Sequence, residues 1–130
     1  CLAANFKQVM GVDVSATSTQ WARDNAIANG IDNATFMSAS AEDIFAAVDF
    51  PPAATAVVID PPRKGCSPEF IQQLLKFGAA RLVYVSCDPA TQVRDLQQLS
   101  AAGYKVVDVQ PFDLFPHTRH LESIMTLVKG

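Results

Sequence analysis

Long apolar runs, paired cysteines and an excess of basic residues are all missing from this chain of 130 residues. No apolar stretch approaches the roughly 18 to 20 residues that span a membrane, and no secretory leader is visible. The three cysteines, Cys1, Cys66 and Cys87, form no Cys-x-x-Cys pair and no cluster with histidine. This predicts no disulfide scaffold and no metal site. It suits a reducing, intracellular compartment: the cytoplasm, or the nucleus or mitochondrion in a eukaryote.

The charge balance gives no basic footprint for nucleic-acid binding. The formal net charge is −3, so this segment alone should hold a nucleic acid weakly. With 49% hydrophobic and 18% charged residues, the chain is globular rather than disordered.

The pattern that is present predicts an α/β fold. Short apolar, β-branched segments alternate with amphipathic ones, which is typical of a Rossmann-like, mostly parallel sheet covered on both faces. The last two strands follow one another without a helix, which predicts one antiparallel strand. Predicted strands are 9–14, 34–37, 56–60, 82–86, 106–109 and 124–128, and predicted helices are 17–29, 41–48, 68–77 and 89–102.

Local signals set the predicted helix boundaries. Ser67 or Asp88 followed by proline is a cap with a proline at the first helical position, and Gly30, Gly78 and Gly103 are the expected stops. The first helix could be capped by Ser15, Thr17 or Ser18. Two apolar faces are expected to point inward: Phe70, Ile71, Leu74, Leu75 and Phe77 on one helix, and Val93, Leu96 and Leu99 on the next.

A glycine-rich turn is also missing. Rossmann-like folds begin with a strand and a Gly-x-Gly turn that holds the cofactor, and no such turn occurs here. Residues 9–15 instead resemble the second strand of such a fold, ending in Asp13. We therefore expect a single, partial catalytic domain over residues 1–130 that is truncated after the first strand and its turn.

The stretch 57–65 ends a buried strand in an unusual way. Asp60 closes the strand, and two prolines then forbid both helix and ladder. Because ligands bind outside the carboxyl ends of strands in open α/β sheets, Asp60 and the following Arg63 are candidate site residues. Asp60 could also be a capping acid, and Asp13 alone is weak evidence because acids at strand ends are common.

Two more candidates lie downstream. Cys87 stands at a predicted strand end directly before a helix N-terminus, where the dipole and free N–H groups favour a thiolate. It could equally be a small buried hydrophobe. Glu122 lies near His117 and His120, and any of these three could be a solvated or packing residue.

Together these residues resemble the RNA (uracil-5-)-methyltransferases. The resemblance runs from about residue 9 to the end and rests on three motifs: Asp60-Pro61-Pro62-Arg63-x-Gly65, Tyr84-Val85-Ser86-Cys87-Asp88-Pro89-x-Thr91-x-x-Arg94-Asp95, and Phe112-Asp113-x-Phe115-Pro116-His117-Thr118-x-His120-x-Glu122. It implies a class I S-adenosylmethionine-dependent methyltransferase fold and methylation of uridine C5 in RNA.

The resemblance also implies residue roles. Cys87 would be the nucleophile that adds to uracil C6, and Glu122 the base that removes the C5 proton. Asp13 would hold the cofactor ribose, residues 40–42 would lie near the adenine, and Asp60 and Arg63 would contact cofactor or target base. The expected cofactor is S-adenosyl-L-methionine and the expected partner is RNA.

Several alternatives stay open at this point. The loop 63–66 resembles that of the eukaryotic tRNA enzymes and favours tRNA, while a ribosomal RNA uracil methyltransferase would use the same chemistry. A non-catalytic Rossmann-like remnant that binds a partner is compatible with the missing turn. An amino-methyltransferase is disfavoured because Arg63, rather than an aromatic residue, follows Asp-Pro-Pro.

Overall fold

The structure, a computed structural model, describes residues 2–40, 43–113 and 121–130. The chain divides into two compact units, Cys1–Ala47 and Val48–Gly130. The helices and strands, in chain order, are β1 Val9–Asp13, α1 Ala16–Ala28, β2 Ala34–Ser38, β3 Ala56–Ile59, α2 Pro68–Phe77, β4 Arg81–Ser86, α3 Pro89–Ala101, β5 Tyr104–Phe112 and β6 Glu122–Lys129.

The first unit is a β-α-β arrangement. Strands β1 and β2 pair in parallel, with Val9 opposite Ala34, and α1 connects them. Among the predicted caps, Ser15 is the one used: its hydroxyl accepts the Ser18 N–H. Arg23 ties the helix to the sheet by donating to the Phe36 carbonyl at 2.7 Å.

The predicted helix over 41–48 is wrong in its described part. Residues 43–47 form turns, held by N–H groups of Asp43 and Ala46 that bond to carbonyls three residues earlier. The Ser40 hydroxyl also bonds to the Asp43 carboxylate at 3.0 Å. A segment this short gains too few helical bonds to offset the cost of nucleation, so local side-chain bonding prevails. Ala41 and Glu42 lie outside the described residues.

The second unit contains a mixed four-stranded sheet in the order β3-β4-β6-β5. Strands β3 and β4 are parallel, and β6 is antiparallel to both β4 and β5. This confirms the predicted α/β fold, in which the last strand is antiparallel to its neighbours. Strand β6 therefore lies inside the sheet although it comes last in the sequence.

Helices α2 and α3 have the predicted caps. The Ser67 hydroxyl accepts the Phe70 N–H at 3.2 Å, and the Asp88 carboxylate accepts the Ala90 N–H at 3.0 Å. Gly78 ends α2 in the left-handed conformation, at φ 70°, which costs glycine little. The buried face of α2, which includes Phe70 and Leu74, also agrees with the prediction.

The predicted inward face of α3 is partly wrong. Leu99 is buried, but Val93 is 49% exposed. Two polar residues, Gln92 and Asp95, take the buried positions and are both 0% exposed. The helix is rotated so that these side chains reach the sheet and a loop, where they satisfy buried polar groups.

Candidate active site

Cys87 and Glu122 lie at the same edge of the four-stranded sheet. Strands β4 and β6 are antiparallel neighbours, and Ser86 is paired with Ser123. Cys87 is the next residue after Ser86, and Glu122 is the residue before Ser123. The register therefore brings the predicted nucleophile and the predicted base to adjacent positions at one end of adjacent strands.

Local hydrogen bonds hold the backbone around Cys87. The Ser86 hydroxyl accepts the Asp88 N–H at 3.0 Å and donates to the Asp88 carbonyl at 2.8 Å. Cys87 thus sits in a tight turn between a buried serine and the cap of α3. Its side chain is partly exposed, with the thiol free of any disulfide, as a nucleophile that must meet an external substrate requires.

Asp60 comes to the same edge through the parallel pairing of β3 with β4. Ile59, the last residue of β3, lies opposite Tyr84, and Asp60 follows it as an exposed residue. The carboxyl ends of parallel strands meet at one edge, which is where ligands bind in open α/β sheets. We call residues 60–66, which begin at Asp60, the central loop.

Helix α3 holds the central loop near its own first turn. The Thr91 hydroxyl lies 2.9 Å from the Arg63 carbonyl and 3.1 Å from the Asp88 carbonyl, so it can donate to either. Because Asp88 directly follows Cys87, this bond ties the backbone of Arg63 to the segment that bears the thiol. The Arg63 side chain is exposed.

A second, buried set of bonds holds the far end of the central loop. The Asp95 carboxylate accepts the Cys66 N–H at 2.8 Å, the Tyr84 hydroxyl at 2.7 Å, and Nε and Nη2 of Arg94 at 3.1 and 2.8 Å. We call these four residues the Asp95 network. It joins the loop, β4 and α3 through one carboxylate.

The network sets the ionisation of its members. Burial by itself raises the pKa of Asp95, but the Cys66 N–H, the Tyr84 hydroxyl and Arg94 hold that pKa below its usual value. Burial is also the main reason why the pKa of Cys66 rises to about 12 and that of Tyr84 rises strongly. Cys66 is therefore a protonated thiol at neutral pH and unsuited to nucleophilic attack.

Gly65 allows the loop to approach α3 this closely. It has φ +81°, and a Cβ there would lie 2.5 Å from Nη2 of Arg94 and 2.7 Å from Oδ2 of Asp95. Arg94 also donates to the Lys64 carbonyl at 2.9 Å. Both the backbone conformation and the available space require glycine at this position.

Gln92 joins the two strands that end at Cys87 and Glu122. Its side-chain amide donates to the carbonyls of Tyr84 on β4 and Ser123 on β6, at 3.2 and 3.4 Å. Its own carbonyl oxygen Oε1 is buried without a hydrogen-bond partner. The donors are thus used to fix the two strands, at the cost of one unsatisfied acceptor.

An open cavity of about 390 Å³ lies beside the central loop, lined by residues 64–68 with Arg94 and Gln98. None of the five predicted site residues lines it.

Within residues 2–40, 43–113 and 121–130, no group of three or more acidic, histidine or cysteine side chains could hold a metal ion. The same residues contain no helix long and apolar enough to cross a membrane. His117 and His120, both predicted to lie near Glu122, fall outside the described residues.

A family model described as "tRNA (Uracil-5-)-methyltransferase" matches residues 1–130. The chain belongs to this family. Among its relatives, the tRNA (uracil(54)-C(5))-methyltransferase of Schizosaccharomyces pombe is 48% identical over 128 residues, which cover 95% of the chain and 24% of that protein. The Saccharomyces cerevisiae protein of the same description is 36% identical over 129 residues, or 95% of the chain and 20% of that protein. The chain thus spans a quarter or less of these relatives' length.

Solved structures show the same fold. Pyrococcus abyssi tRNA (uracil-54, C5)-methyltransferase, in complex with S-adenosyl-L-homocysteine, superposes with a TM-score of 0.82 at 33% identity, over 98% of the chain and 30% of that protein. An rRNA methylase from Streptococcus thermophilus, at 16% identity, has a TM-score of 0.72 over 98% of the chain and 76% of that protein. The fold is the Rossmann-like fold of class I S-adenosylmethionine-dependent methyltransferases, as predicted.

Asp13, the residue expected to hold the ribose of the family's cofactor, lies in the first unit. Asp13 is exposed at the carboxyl end of β1, and its Oδ1 accepts the Ser15 N–H at 2.7 Å. This bond fixes a carboxylate at a strand end, which is the group and the place that hold ribose hydroxyls in Rossmann-like folds. Ser40, predicted near the adenine, has its hydroxyl bonded to Asp43. The Asp13 geometry fits the cofactor, while that of Ser40 neither favours nor opposes it.

Sequence reasoning missed the buried polar residues that support the family's motifs. Tyr84, Arg94 and Asp95 belong to the motifs of the resemblance, but the sequence pattern indicates no role for them or for Gln92. A signal was available, because Gln92, Asp95 and Leu99 follow the i, i+3, i+7 spacing of one helical face. Polar residues on such a face indicate a buried hydrogen-bond network only when their partners are known. Here the partners are distant in sequence, so the sequence alone does not reveal them.

Proposed function

We propose that this chain carries the catalytic residues of an enzyme that uses S-adenosyl-L-methionine to methylate C5 of a uridine in RNA. The observation that carries the proposal is the adjacency of Cys87 and Glu122 at one sheet edge, together with membership of the family. A thiol nucleophile and a carboxylate base are the two groups that this chemistry needs.

Cys87 activates the target base. Uracil C5 is too weak a nucleophile to take a methyl group unaided. The Cys87 thiolate adds to C6, and the electrons of the C5–C6 double bond move toward C5 and the neighbouring carbonyl. S-adenosyl-L-methionine, when bound, supplies the electrophilic methyl group. Cys87 directly precedes Asp88, the cap residue at the N-terminus of α3.

Glu122 completes the reaction. Its carboxylate removes the proton from the methylated C5, the electron pair reforms the C5–C6 double bond, and the C6–S bond breaks to release the Cys87 thiolate. The edge position of Glu122, partly buried at the start of β6, suits a base that acts beside the nucleophile.

The other predicted site residues bind and orient the cofactor and the RNA. Asp13 holds the cofactor ribose, and Asp60 at the start of the central loop contacts the cofactor. Arg63 contacts the RNA, where a guanidinium can bond to a base edge or a phosphate. The target base must leave its stack to reach Cys87.

Transfer RNA is the proposed substrate, with the T-loop uridine as the target. Three relatives between 33% and 48% identical carry names that specify uracil-54 of tRNA. Ribosomal RNA remains the alternative substrate for the same chemistry, because it changes the RNA but none of the reacting groups.

Covalent trapping tests the proposal. The chain, and separately a longer natural polypeptide that contains it, is mixed with S-adenosyl-L-methionine and a T-loop hairpin carrying 5-fluorouracil. Fluorine at C5 cannot be removed as a proton, so we expect a denaturation-resistant protein–RNA adduct. The adduct should vanish in Cys87→Ala and persist in Cys66→Ala, which removes the buried thiol instead.

Each outcome has a definite meaning. If an adduct forms with a ribosomal RNA hairpin but not with the T-loop hairpin, the proposed substrate is wrong and the proposed reaction is retained. No adduct with either polypeptide and either RNA, from folded protein, would refute the enzyme and favour a non-catalytic, partner-binding role.

A further inference from the structure

Helix α3 holds the second half of the central loop. At the middle of the loop, the Thr91 hydroxyl contacts the Arg63 carbonyl at 2.9 Å. At its far end, Asp95 accepts the Cys66 N–H at 2.8 Å, and Arg94 donates to the Lys64 carbonyl at 2.9 Å. These three contacts, made by residues within about one turn of α3, leave the loop little freedom to shift along the helix.

Asp95 accounts for two of these contacts, because its carboxylate accepts the Cys66 N–H and also holds Arg94, which donates to the Lys64 carbonyl. It is 0% exposed, so its charge is stabilised by its donors and not by water. A buried carboxylate that loses a donor is strongly destabilised, and the loop backbone at Gly65 lies so close to Asp95 that a Cβ there would come within 2.7 Å of its Oδ2. The position of the loop therefore depends on Asp95.

The same helix begins at the candidate nucleophile. Cys87 immediately precedes the cap residue Asp88, while Asp60 stands at the beginning of the central loop and Arg63 at its middle. A rigid helix that holds the loop through Asp95 also holds Cys87 at its first turn. One element thus determines the distance between the thiol and the residues that contact its substrate.

We infer that Asp95 is a positioning residue, which fixes the central loop relative to Cys87 and thereby sets the rate of attack on the target base. The inference rests on the proposed function. Asp95 touches neither substrate nor cofactor, so its loss should slow the covalent step more than it weakens RNA binding.

The test compares Asp95→Asn with wild type in the longest natural polypeptide that contains this chain. The amide keeps the shape of the side chain but places its NH2 group either against the Cys66 N–H and the Tyr84 hydroxyl, which share Oδ2, or against Arg94, which bonds to Oδ1. We expect adduct formation with 5-fluorouracil RNA to slow by roughly 10- to 100-fold, because a misplacement of about 1 Å can cost that much. The dissociation constant for RNA should change by a smaller factor than the trapping rate, since Asp95 itself makes no RNA contact and affects RNA binding only through the position of Arg63.

A destabilised control separates positioning from general loss of stability. Leu99→Ala lies on the same helix, is buried at 1% exposure and touches none of the loop contacts. At a temperature where both variants are folded, Leu99→Ala should trap RNA close to the wild-type rate. Equal slowing of the two variants would overturn the inference.

A second readout does not depend on catalysis. Hydrogen exchange at the Cys66 amide should accelerate in Asp95→Asn and stay unchanged in Leu99→Ala under conditions of local opening. If wild type forms no adduct, the proposed function fails, and this readout alone decides whether Asp95 fixes the loop. A Cys66 amide exchange rate in Asp95→Asn equal to that of wild type would refute the inference that Asp95 fixes the loop.

A milder variant covers the case in which Asp95→Asn does not fold. Tyr84→Phe removes one donor to Asp95 and keeps the ring and the carboxylate. We expect a smaller loss of trapping rate and a smaller gain in Cys66 exchange. Wild-type values for both would overturn the inference.

Discussion

A few buried polar side chains determine how helix α3, the strands and the central loop pack together in the second unit. Asp95 and Gln92 are fully buried on α3, and their partners lie on β4, β6 and the central loop. Each of these two side chains makes hydrogen bonds where an apolar residue would make only packing contacts. Hydrogen bonds contribute little net free energy, but they form in only one geometry. Substitutions at these residues should therefore act through charge and hydrogen bonding more than through volume.

Acidification should weaken the fold through Asp95. Its donors hold its pKa below the usual value despite burial, so the folded state binds this proton more weakly than the unfolded state. The stabilising contribution is complete above the unfolded carboxyl pKa of about 4 and is lost as the pH falls through the lower folded pKa. Urea unfolding should show the stability gap between wild type and Asp95→Asn narrowing below about pH 4. A gap that is independent of pH would contradict this.

The two described cysteines should differ in reactivity toward iodoacetamide. Cys87 is partly exposed, while Cys66 is buried and its pKa is raised to about 12. Because the thiolate is the reactive form, native protein should be alkylated at Cys87 well before Cys66. Peptide mapping by mass spectrometry reads each thiol separately, and denatured protein provides the control in which the difference disappears.

Gln92 should tolerate an apolar replacement better than a charged one. Gln92→Met keeps the length, loses two long bonds and removes the unsatisfied Oε1, so it should cost less than about 1.5 kcal/mol. Gln92→Glu places a carboxylate against the carbonyls of Tyr84 and Ser123 and should cost about 3 kcal/mol or more at neutral pH. Equal urea midpoints for the two variants would exclude this account.

Individual elements were predictable where the signal is local. The caps Ser67 and Asp88 and the stop Gly78 follow from side-chain chemistry within a few residues, and the structure has them at those positions. The inward face of α3 was not predictable in this way. Val93 is apolar but exposed, because the helix is turned to bring Asp95 to a loop that is distant in sequence.

Gly65→Ala should be more damaging than Gly103→Ala in the same unit. Both glycines have positive φ, +81° and +101°, but a Cβ at Gly103 would meet nothing within 4 Å, whereas one at Gly65 would collide with the Asp95 network. The left-handed conformation alone costs about 1 to 2 kcal/mol. We expect more than about 3 kcal/mol for Gly65→Ala, since the buried carboxylate must also move. Thermal or urea unfolding of the two variants measures the difference.

At the scale of the whole molecule, the order of elements was predictable and the composition of the site was only partly so. Alternating patterns indicated an α/β fold with one reversed strand, and the three motifs indicated Cys87, Glu122, Asp60 and Arg63. The register of β4 with β6, which makes Cys87 and Glu122 neighbours, depends on pairing between distant segments. The roles of these four residues and of Asp13 stay predictions until the trapping experiment is done.

The two compact units should differ in resistance to opening. The first has a two-stranded sheet and one described α-helix, and two strands with little cover are marginally stable. The second places β4 and β6 between other strands, with Leu82 and Leu127 nearly inaccessible to solvent. Native-state hydrogen exchange should therefore show slower exchange for β4 and β6 amides than for β1 and β2 amides. Equal protection in both units would contradict this.

The position of β6 inside the sheet has a consequence for biosynthesis. Strands β4 and β5 leave the ribosome before β6, yet neither pairs with the other, and each needs β6 on its side. Until residues 122–129 emerge, both strands expose unpaired backbone that invites association with other chains. The nascent polypeptide thus depends on prompt synthesis of residues 122–129, and a ribosome stalled before them would leave β4 and β5 open to association with other chains.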